Sequence, residues 1–185
     1  GPKTLRMAGA LADGVWIRVG KHPENLMRAW HAVCEGAREV GRDPESIELG
    51  LIFHTAFSKD RDQAKTIAKS LAAGYYEYSP FLFDAPNLQW NGPDVEELRK
   101  KAWPDFHHHR DIEKAGKLVD FLDDAAADAF ALYGDWSDIA EQLNAVLALD
   151  LPVSIVLPHP VLPRESVVDY VQECAQELIP KFNSI

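Results

Sequence analysis

Gly1-Pro-Lys-Thr-Leu-Arg-Met-Ala-Gly-Ala-Leu-Ala-Asp-Gly-Val-Trp-Ile-Arg-Val-Gly20 carries a short helical pattern that runs straight into a β-rich pattern. Small and apolar residues recur on one helical face, at Leu5, Ala8, Gly9 and Ala12. Asp13-Gly14 breaks the helix, and Val15–Val19 is typical of a buried strand. Because a helix that enters a strand normally follows an earlier strand, this segment predicts the interior of an α/β fold.

The alternation of helix and strand continues along the chain. Pro23 suits the first turn of a helix that Gly41 ends, and Ile47–Phe57 is predicted as a strand before the next helical face. This order predicts parallel βαβ units with right-handed crossovers. Towards the carboxyl end we expect helices over 123–130 and after Asp135, a strand over Val153–Leu157 and a last helix.

Residues 75–121 interrupt this alternation with four prolines and clustered aromatic residues. We expect them to form an insertion beside the functional site, within a single domain that spans residues 1–185. The tract His107-His-His109 suggests a metal, but three consecutive loop residues point in different directions, whereas zinc needs three or four converging ligands. The sequence therefore predicts no metal site, and we interpret the tract as part of a loop over the pocket.

Composition and charge exclude several classes of protein. The 185 residues are 46% hydrophobic and carry a formal net charge of -10, which argues against binding to nucleic acid because phosphate neutralisation needs Lys and Arg. No apolar run reaches the roughly 18 to 20 residues of a membrane span, and the first residues do not resemble a signal peptide. We expect a cytoplasmic protein without a membrane partner, in which Cys34 and Cys174 are buried thiols.

Two histidines follow the predicted strands closely enough to reach a site. His54 lies near the carboxyl end of one strand, and His159 comes just after the last strand. Each could line a substrate pocket or transfer protons, because an imidazole titrates near neutral pH. Each could equally be a structural histidine that packs in the core.

Two motifs carry a resemblance to a known family. Gly1–Val15 resembles the fifth βα turn of the bacterial luciferase-like monooxygenase superfamily. Ala129–Leu143, followed by Val153–Pro158, resembles the stretch that leads into the eighth strand of that superfamily. The chain is most similar to the deazaflavin-dependent branch, which includes methylenetetrahydromethanopterin reductase.

The resemblance implies a fold and the part of it that is present. It implies the C-terminal half of a (β/α)8 barrel, with Val15–Val19, Leu49–Phe57 and Val153–Leu157 as strands six to eight. Barrel active sites lie at the carboxyl ends of the strands. In the family, the amino-terminal half supplies much of the flavin-ring pocket and most catalytic residues, so no catalytic residue is assigned here. The chain could be a fragment, a shortened expressed form or a natural half-barrel that dimerises.

The resemblance also implies binding residues. Gly1, Pro2 and Thr4 match family positions that hold the cofactor phosphate, and Lys3 adds a positive charge, as suits a helix N-terminus. Alternatively, Gly-Pro simply starts a helix. Arg18 and Lys21 align with positions that contact an anionic substrate in a sugar-phosphate dehydrogenase of the superfamily, although a solvated strand end is an equal alternative.

Two functions from different classes follow. The first is part of an FMN- or F420-dependent oxidoreductase, a monooxygenase or a reductase, that exchanges hydride between the cofactor and a small organic substrate. This fragment alone is not expected to be active. The second is a non-catalytic flavin-binding or oligomerising half-barrel, in which an unpaired sheet edge drives homo-oligomer formation.

Overall fold

A parallel four-stranded sheet forms the centre of the protein, as the computed structural model shows for residues 1–161 and 167–182. The strands are β1 (Gly14–Ile17), β2 (Glu48–Phe57), β3 (Ala131–Gly134) and β4 (Val153–Pro160). The helices are α1 (Pro2–Leu11), α2 (Pro23–Glu39), α3 (Arg61–Tyr78), α4 (Val95–Arg99), α5 (Ile112–Lys117), α6 (Asp124–Phe130), α7 (Trp136–Leu147) and α8 (Val167–Glu173).

The long strand β2 organises the sheet, because the other three strands all pair with it. β1 pairs with its first half, from Gly14 opposite Glu48, and β3 pairs with its last residues. β4 runs along most of β2, where His159 lies opposite His54. Since a strand has only two edges, β1 and β3 lie end to end along the edge of β2 that β4 leaves free.

Side-chain caps fix where several helices begin. The Asp60 carboxylate accepts hydrogen bonds from the first turn of α3, and His22 Nδ1 accepts one from the Glu24 N–H at the start of α2. At α7, Asp135 and Asp138 form a reciprocal capping box. As a result, α2 begins six residues after the end of β1, and α7 begins two residues after the end of β3.

The apolar core consists of two large clusters and a smaller one. One cluster joins the sheet to α2 and α7, with Phe53 and Val33 fully buried in it. A second cluster lies among α3, the α4–α6 region and the 3₁₀ turn Pro80–Asp84, and includes the buried Phe106 and Phe130. A smaller group of alanines under α3 connects this region to β3. The segment between β2 and α7 therefore has a core of its own and packs on the carboxyl ends of the strands.

Two glycines allow α1 and α2 to pack in backbone contact. A Cβ atom added to Gly9 would lie 1.9 Å from the Val33 carbonyl oxygen, and one added to Gly36 would lie 1.9 Å from the Arg6 carbonyl oxygen. Only a hydrogen fits at either position. This contact holds α1 against the second half of α2.

The predicted α/β fold with a parallel sheet is confirmed, with three differences in the strands. The last strand continues past Leu157 to Pro160 because it stays paired with β2, so His159 lies within it and not after it. The first strand ends at Ile17, because its pairing with β2 stops at Leu51. The strand β3 was missed, because Ala131–Gly134 follows α6 without a turn residue and resembles the end of that helix. Among the described residues, no helix is both long and apolar enough to cross a membrane.

Candidate functional site

A cavity of about 540 Å³ lies beyond the carboxyl end of β1, between the start of α1, residues 25–35 of α2 and the end of α3. Backbone or side chains from five separate segments line it, including Gly1, Pro2, Arg18, Asn25, Tyr75 and His107. Parallel strands all end on this side of the sheet, so side chains that follow different strands converge here. The cavity is the candidate site.

A cluster of aromatic and imidazole rings lies behind the cavity wall. The ring centroid of His54 is 4.7 Å from that of His107, 5.7 Å from that of Tyr75 and 5.8 Å from that of His159. His54 is buried and His159 is exposed. The cluster therefore extends from the end of β4, through the core side of β2, to the cavity wall formed by Tyr75 and His107.

Both inner imidazoles are neutral at physiological pH. Burial lowers the pKa of His107 to about 4, and burial, together with the positive potential of the other histidines and Arg18, lowers the pKa of His54 to about 2. His107 Nε2 lies 2.9 Å from the Leu71 carbonyl oxygen. Because a carbonyl only accepts, Nε2 carries the proton and donates, which leaves Nδ1 of His107 as an acceptor.

The phenol of Tyr75 is also held in its neutral form. Burial raises the pKa of Tyr75 to about 12, and nearby Arg18 only partly opposes this shift. Its ring stacks on Phe130 at a centroid distance of 4.9 Å. The inner wall thus offers uncharged hydrogen-bonding groups, whereas the exposed guanidinium of Arg18 supplies positive charge at the cavity.

A separate network orients the histidine tract beside the cavity. Asp105 accepts hydrogen bonds from Tyr78 and from the backbone N–H groups of His107 and His108. Burial opposes the charge on Asp105, but the His108 ring, whose Nδ1 lies 2.9 Å from Asp105 Oδ1, outweighs burial together with the His108 N–H and the Tyr78 hydroxyl, and the pKa of the carboxyl lies below its ordinary value. His109 instead contacts the backbone of Asp111. The three imidazole rings therefore have three different partners, namely the Leu71 carbonyl, the Asp105 carboxylate and the Asp111 backbone.

The structure brings some of the predicted site residues together and separates others. Gly1, Pro2 and Arg18 line one cavity, whereas Lys3 and Thr4 are exposed on the first turn of α1 beside it. Lys21 lines a different cavity, of about 370 Å³, near Asp128. Burial lowers the pKa of Lys21 to about 8. His54 and His159 lie in the ring cluster behind the first cavity.

Two residues at the site were missed by the sequence analysis, namely Asn25 and Tyr75, whereas His107 belongs to the tract that it placed in a loop over the pocket and lines the cavity. Asn25 is only 1% exposed although it lies in a helix, where asparagine is a weak helix former. That mismatch between residue type and an otherwise apolar helix face was the available signal. Nothing in the pattern around Tyr75 distinguished it from the other aromatic residues of 75–121. Across the two described ranges, no three His, Cys, Asp or Glu side chains are grouped closely enough to hold a metal ion.

We expect Gly74→Ala to disturb this site by displacing His107. A Cβ atom at position 74 would lie 2.2 Å from His107 Cδ2, so the ring must leave its place beside the Leu71 carbonyl. The expected cost is about 2 kcal/mol in the free energy of unfolding, with the pKa of His107 rising from about 4 towards its ordinary value. Urea unfolding and a histidine NMR titration measure the two effects.

A double-mutant cycle controls this prediction. Once His107→Ala has removed the ring, adding Gly74→Ala should cost nothing further, because the space is then free. An equal cost of Gly74→Ala in both backgrounds would show that the collision with His107 is not the cause.

Comparisons with known proteins identify the family of this chain. The family model described as luciferase-like monooxygenase matches residues 1–149. The 5,10-methylenetetrahydromethanopterin reductase of Methanopyrus kandleri is 28% identical over 187 residues, which cover 98% of this chain and 48% of that relative. The chain thus spans about half the length of the curated relatives that it matches.

Solved structures show a shared fold over the same extent. The coenzyme F420-dependent tetrahydromethanopterin reductase from Methanopyrus kandleri superposes with a TM-score of 0.62 at 22% identity, covering 99% of this chain and 49% of that chain. A riboflavin lyase solved with modified FMN and riboflavin gives a TM-score of 0.53 at 14% identity, covering 98% and 40%. The chain belongs to the luciferase-like monooxygenase family.

Proposed function

We propose that this chain is the C-terminal half of a (β/α)8-barrel oxidoreductase of the cytoplasm that moves hydride between FMN or F420 and a small organic substrate. The observation that carries the proposal is the cavity at the carboxyl end of β1, where Gly1, Pro2 and Arg18 meet. Its position corresponds to the end of a barrel at which active sites lie. The F420-dependent relative and the FMN-containing structure support the choice of cofactors.

The first turn of α1 fits a cofactor phosphate. No side chain caps this helix and its first turn has no acidic residue, so the N–H groups of Lys3 and Thr4 are available to an anion. A Cβ atom at Gly1 would meet nothing within 4 Å, which leaves open space beside the turn. Lys3 adds a positive charge next to these donors.

The cofactor and the residues of this chain have different roles in the proposed reaction. A bound flavin or deazaflavin supplies the hydride chemistry. In our proposal, the turn Gly1–Thr4 binds the phosphate, and Arg18 attracts an anionic group of the substrate into the cavity. His54 and His159 support the wall of the substrate cavity from behind, and Lys21 serves an anionic group from its separate cavity. The residues that touch the reacting atoms belong to the half of the barrel that lies outside this chain.

Thr4→Ala is expected to weaken binding of FMN or F420 by roughly tenfold to a hundredfold, because it removes the hydroxyl and with it one hydrogen bond to the charged phosphate. The measurement is a fluorescence titration of each cofactor with the full-length protein. Met7→Ala on the same helix is the control, because Met7 is 57% exposed and lies outside the first turn. Equal affinities of wild type and Thr4→Ala would remove the phosphate assignment from this turn.

A second candidate function, a dimerising half-barrel without catalytic activity, is favoured by the exposed surface of β4. Ile155 is 49% exposed and Leu157 is 43% exposed, and in the described part of the chain β4 pairs with β2 alone. A groove of about 580 Å³, formed by β4, α7 and the residues after α8, continues this apolar surface. An exposed apolar strand edge of this kind tends to pair with another chain, here a second copy of the protein.

Light scattering of the 185-residue chain with each cofactor separates the two candidates. A discrete dimer that retains FMN or F420 supports the half-barrel module. A monomer or an aggregate that binds neither cofactor supports half of a larger enzyme, which needs its other strands to form the site.

A further inference from the structure

Three buried polar atoms without a hydrogen-bond partner lie at the candidate site. They are Asn25 Oδ1, Tyr75 Oη and His54 Nδ1, as judged among the residues that the structure describes. Asn25 is 1% exposed and Tyr75 is 5% exposed, and both line the cavity at the end of β1. His54 contacts the Tyr75 ring from behind. Among the described residues, one other buried side-chain atom lacks a hydrogen-bond partner. It is Glu77 Oε1, which forms an ion pair with Arg99 Nε at 3.0 Å.

The hydrogen-bonding role of each cavity atom is fixed by its surroundings. Asn25 Nδ2 donates to the Leu82 carbonyl oxygen at 2.9 Å, so the unpaired atom of this amide is its acceptor oxygen. Burial keeps Tyr75 protonated, so its hydroxyl is a donor. The Gly20 N–H lies near the Tyr75 oxygen but is itself a donor, so it cannot accept the hydroxyl proton.

Leaving these atoms unpaired is unfavourable for folding, since a buried polar group without a partner loses its hydration and gains nothing. Apolar residues of the same size would fill the same space at a lower cost. Phe in place of Tyr75 would keep the stack on Phe130, yet the chain carries the hydroxyl. An unsatisfied donor and an unsatisfied acceptor beside one cavity point to a ligand that pairs with both.

We propose that Tyr75 and Asn25 form a hydrogen-bonding subsite for an uncharged amide or lactam group, one that presents an N–H beside a C=O. The Tyr75 hydroxyl donates to the ligand carbonyl, and the ligand N–H donates to Asn25 Oδ1. An amide carries its donor and its acceptor on neighbouring atoms, so a single amide can pair with Tyr75 on α3 and with Asn25 on α2 at the same time. A carboxylate lacks the N–H and would place its charge against the Asn25 oxygen.

Access to the subsite requires a small movement of the cavity wall. Both atoms are shielded from solvent in the structure, so a bound group must displace neighbouring side chains. Phe81, which is 40% exposed, and the exposed Arg18 also line the cavity and have room to move. The subsite is therefore expected to bind its ligand with a local rearrangement of these residues.

The amide or lactam could belong to the substrate or to the pyrimidine edge of a flavin-type ring. Both sources present the same chemistry to Tyr75 and Asn25. They differ in whether a small amide binds together with the cofactor or competes with it. The proposal goes beyond the proposed function, because the subsite does not depend on hydride transfer.

The experiment titrates benzamide, benzoate and benzyl alcohol into the full-length protein, its Tyr75→Phe variant and its Tyr78→Phe variant. Tyr78 is the matched control, because it lines the same cavity but already donates to Asp105 Oδ2 at 3.0 Å. Affinities come from calorimetry, and thermal melting reports the stability of each variant.

We expect benzamide to bind wild type more tightly than either other probe, and Tyr75→Phe to weaken benzamide by roughly three- to tenfold. Tyr75→Phe should melt at the same temperature as wild type or higher, whereas Tyr78→Phe should melt lower and keep its benzamide affinity. Simultaneous binding of benzamide and FMN or F420 assigns the subsite to the substrate, and competition assigns it to the cofactor ring.

Three results would overturn the proposal. They are no binding of benzamide at millimolar concentrations, equal benzamide affinity in wild type and Tyr75→Phe, and tighter binding of benzoate or benzyl alcohol than of benzamide. A failure to bind FMN or F420, with the Tyr75 dependence of benzamide intact, would instead contradict the proposed function and leave the subsite standing.

Discussion

Acidification from pH 6.5 to pH 4 is expected to destabilise this protein by several kcal/mol, because His54 and His107 are buried as neutral imidazoles. Both folded-state pKa values lie below the ordinary value of 6.5, at about 2 for His54 and about 4 for His107. The unfolded chain therefore binds more protons than the folded protein once the pH falls below 6.5. Their contribution to the free energy of unfolding is fully present above that pH and declines as the pH falls. Near pH 4 the loss due to His107 levels off, whereas the loss due to His54 continues at lower pH.

The magnitude follows from proton linkage. Each additional proton bound by the unfolded chain lowers the free energy of unfolding by about 1.4 kcal/mol per pH unit. Two histidines over this window give a loss on the order of 5 kcal/mol, which is comparable to the whole stability of an ordinary domain. Urea unfolding at a series of pH values measures the slope.

Two variants isolate the histidines from other titrating groups. His107→Gln can still donate to the Leu71 carbonyl but does not titrate, so its slope should fall by about one proton. His31→Gln, at an exposed histidine, should leave the slope as it is. Glu77 acts in the opposite direction, because burial raises the pKa of its carboxyl. An unchanged slope in His107→Gln would show that His107 is not protonated on unfolding in this range.

Gly36→Ala is expected to lower the free energy of unfolding by about 2 to 3 kcal/mol, because it forces α1 away from α2. The added Cβ would meet the Arg6 backbone, with the carbonyl oxygen at 1.9 Å and the carbonyl carbon at 2.5 Å. A backbone cannot rotate aside as a side chain can. The higher helix propensity of alanine returns only about 1 kcal/mol. Gly1 and Pro2, at the start of α1, should move with the helix and reduce cofactor affinity.

Gly14→Ala is the matched control for this prediction. Its nearest neighbour would be Glu48 Cβ at 3.3 Å, a contact that a slight shift relieves. We expect a smaller loss of stability and no change in cofactor affinity. If Gly36→Ala melts at the wild-type temperature, the close backbone contact between α1 and α2 does not contribute to stability.

The sequence was sufficient for the elements whose signals are local. Pro23 and Gly41 bracket α2 almost to the residue, and the alternation of apolar helix faces with β-branched runs predicted a parallel sheet. Gly1-Pro2 correctly marked the start of α1. These signals depend on backbone conformation and hydrophobic periodicity, which neighbouring residues determine.

Contacts between segments distant in the chain were beyond the reach of the sequence. Ala131–Gly134 is a strand only because β2 offers it a free edge, and its residues carry no turn that separates them from α6. Arg18 and Lys21 lie three positions apart, yet the structure directs them into different cavities. Periodicity assigns a residue to a face of its own element but not to a neighbour on another element.

The same distinction applies to the candidate site. The residue types of Gly1–Thr4, Arg18 and the histidines at strand ends suggested binding from the sequence alone. Only the tertiary structure placed His107 and Tyr75 against His54, and only burial made the pKa values of these rings depart from their ordinary values. The sequence determines the chemical type of each residue, whereas desolvation and the pairing of distant groups arise only when the chain packs.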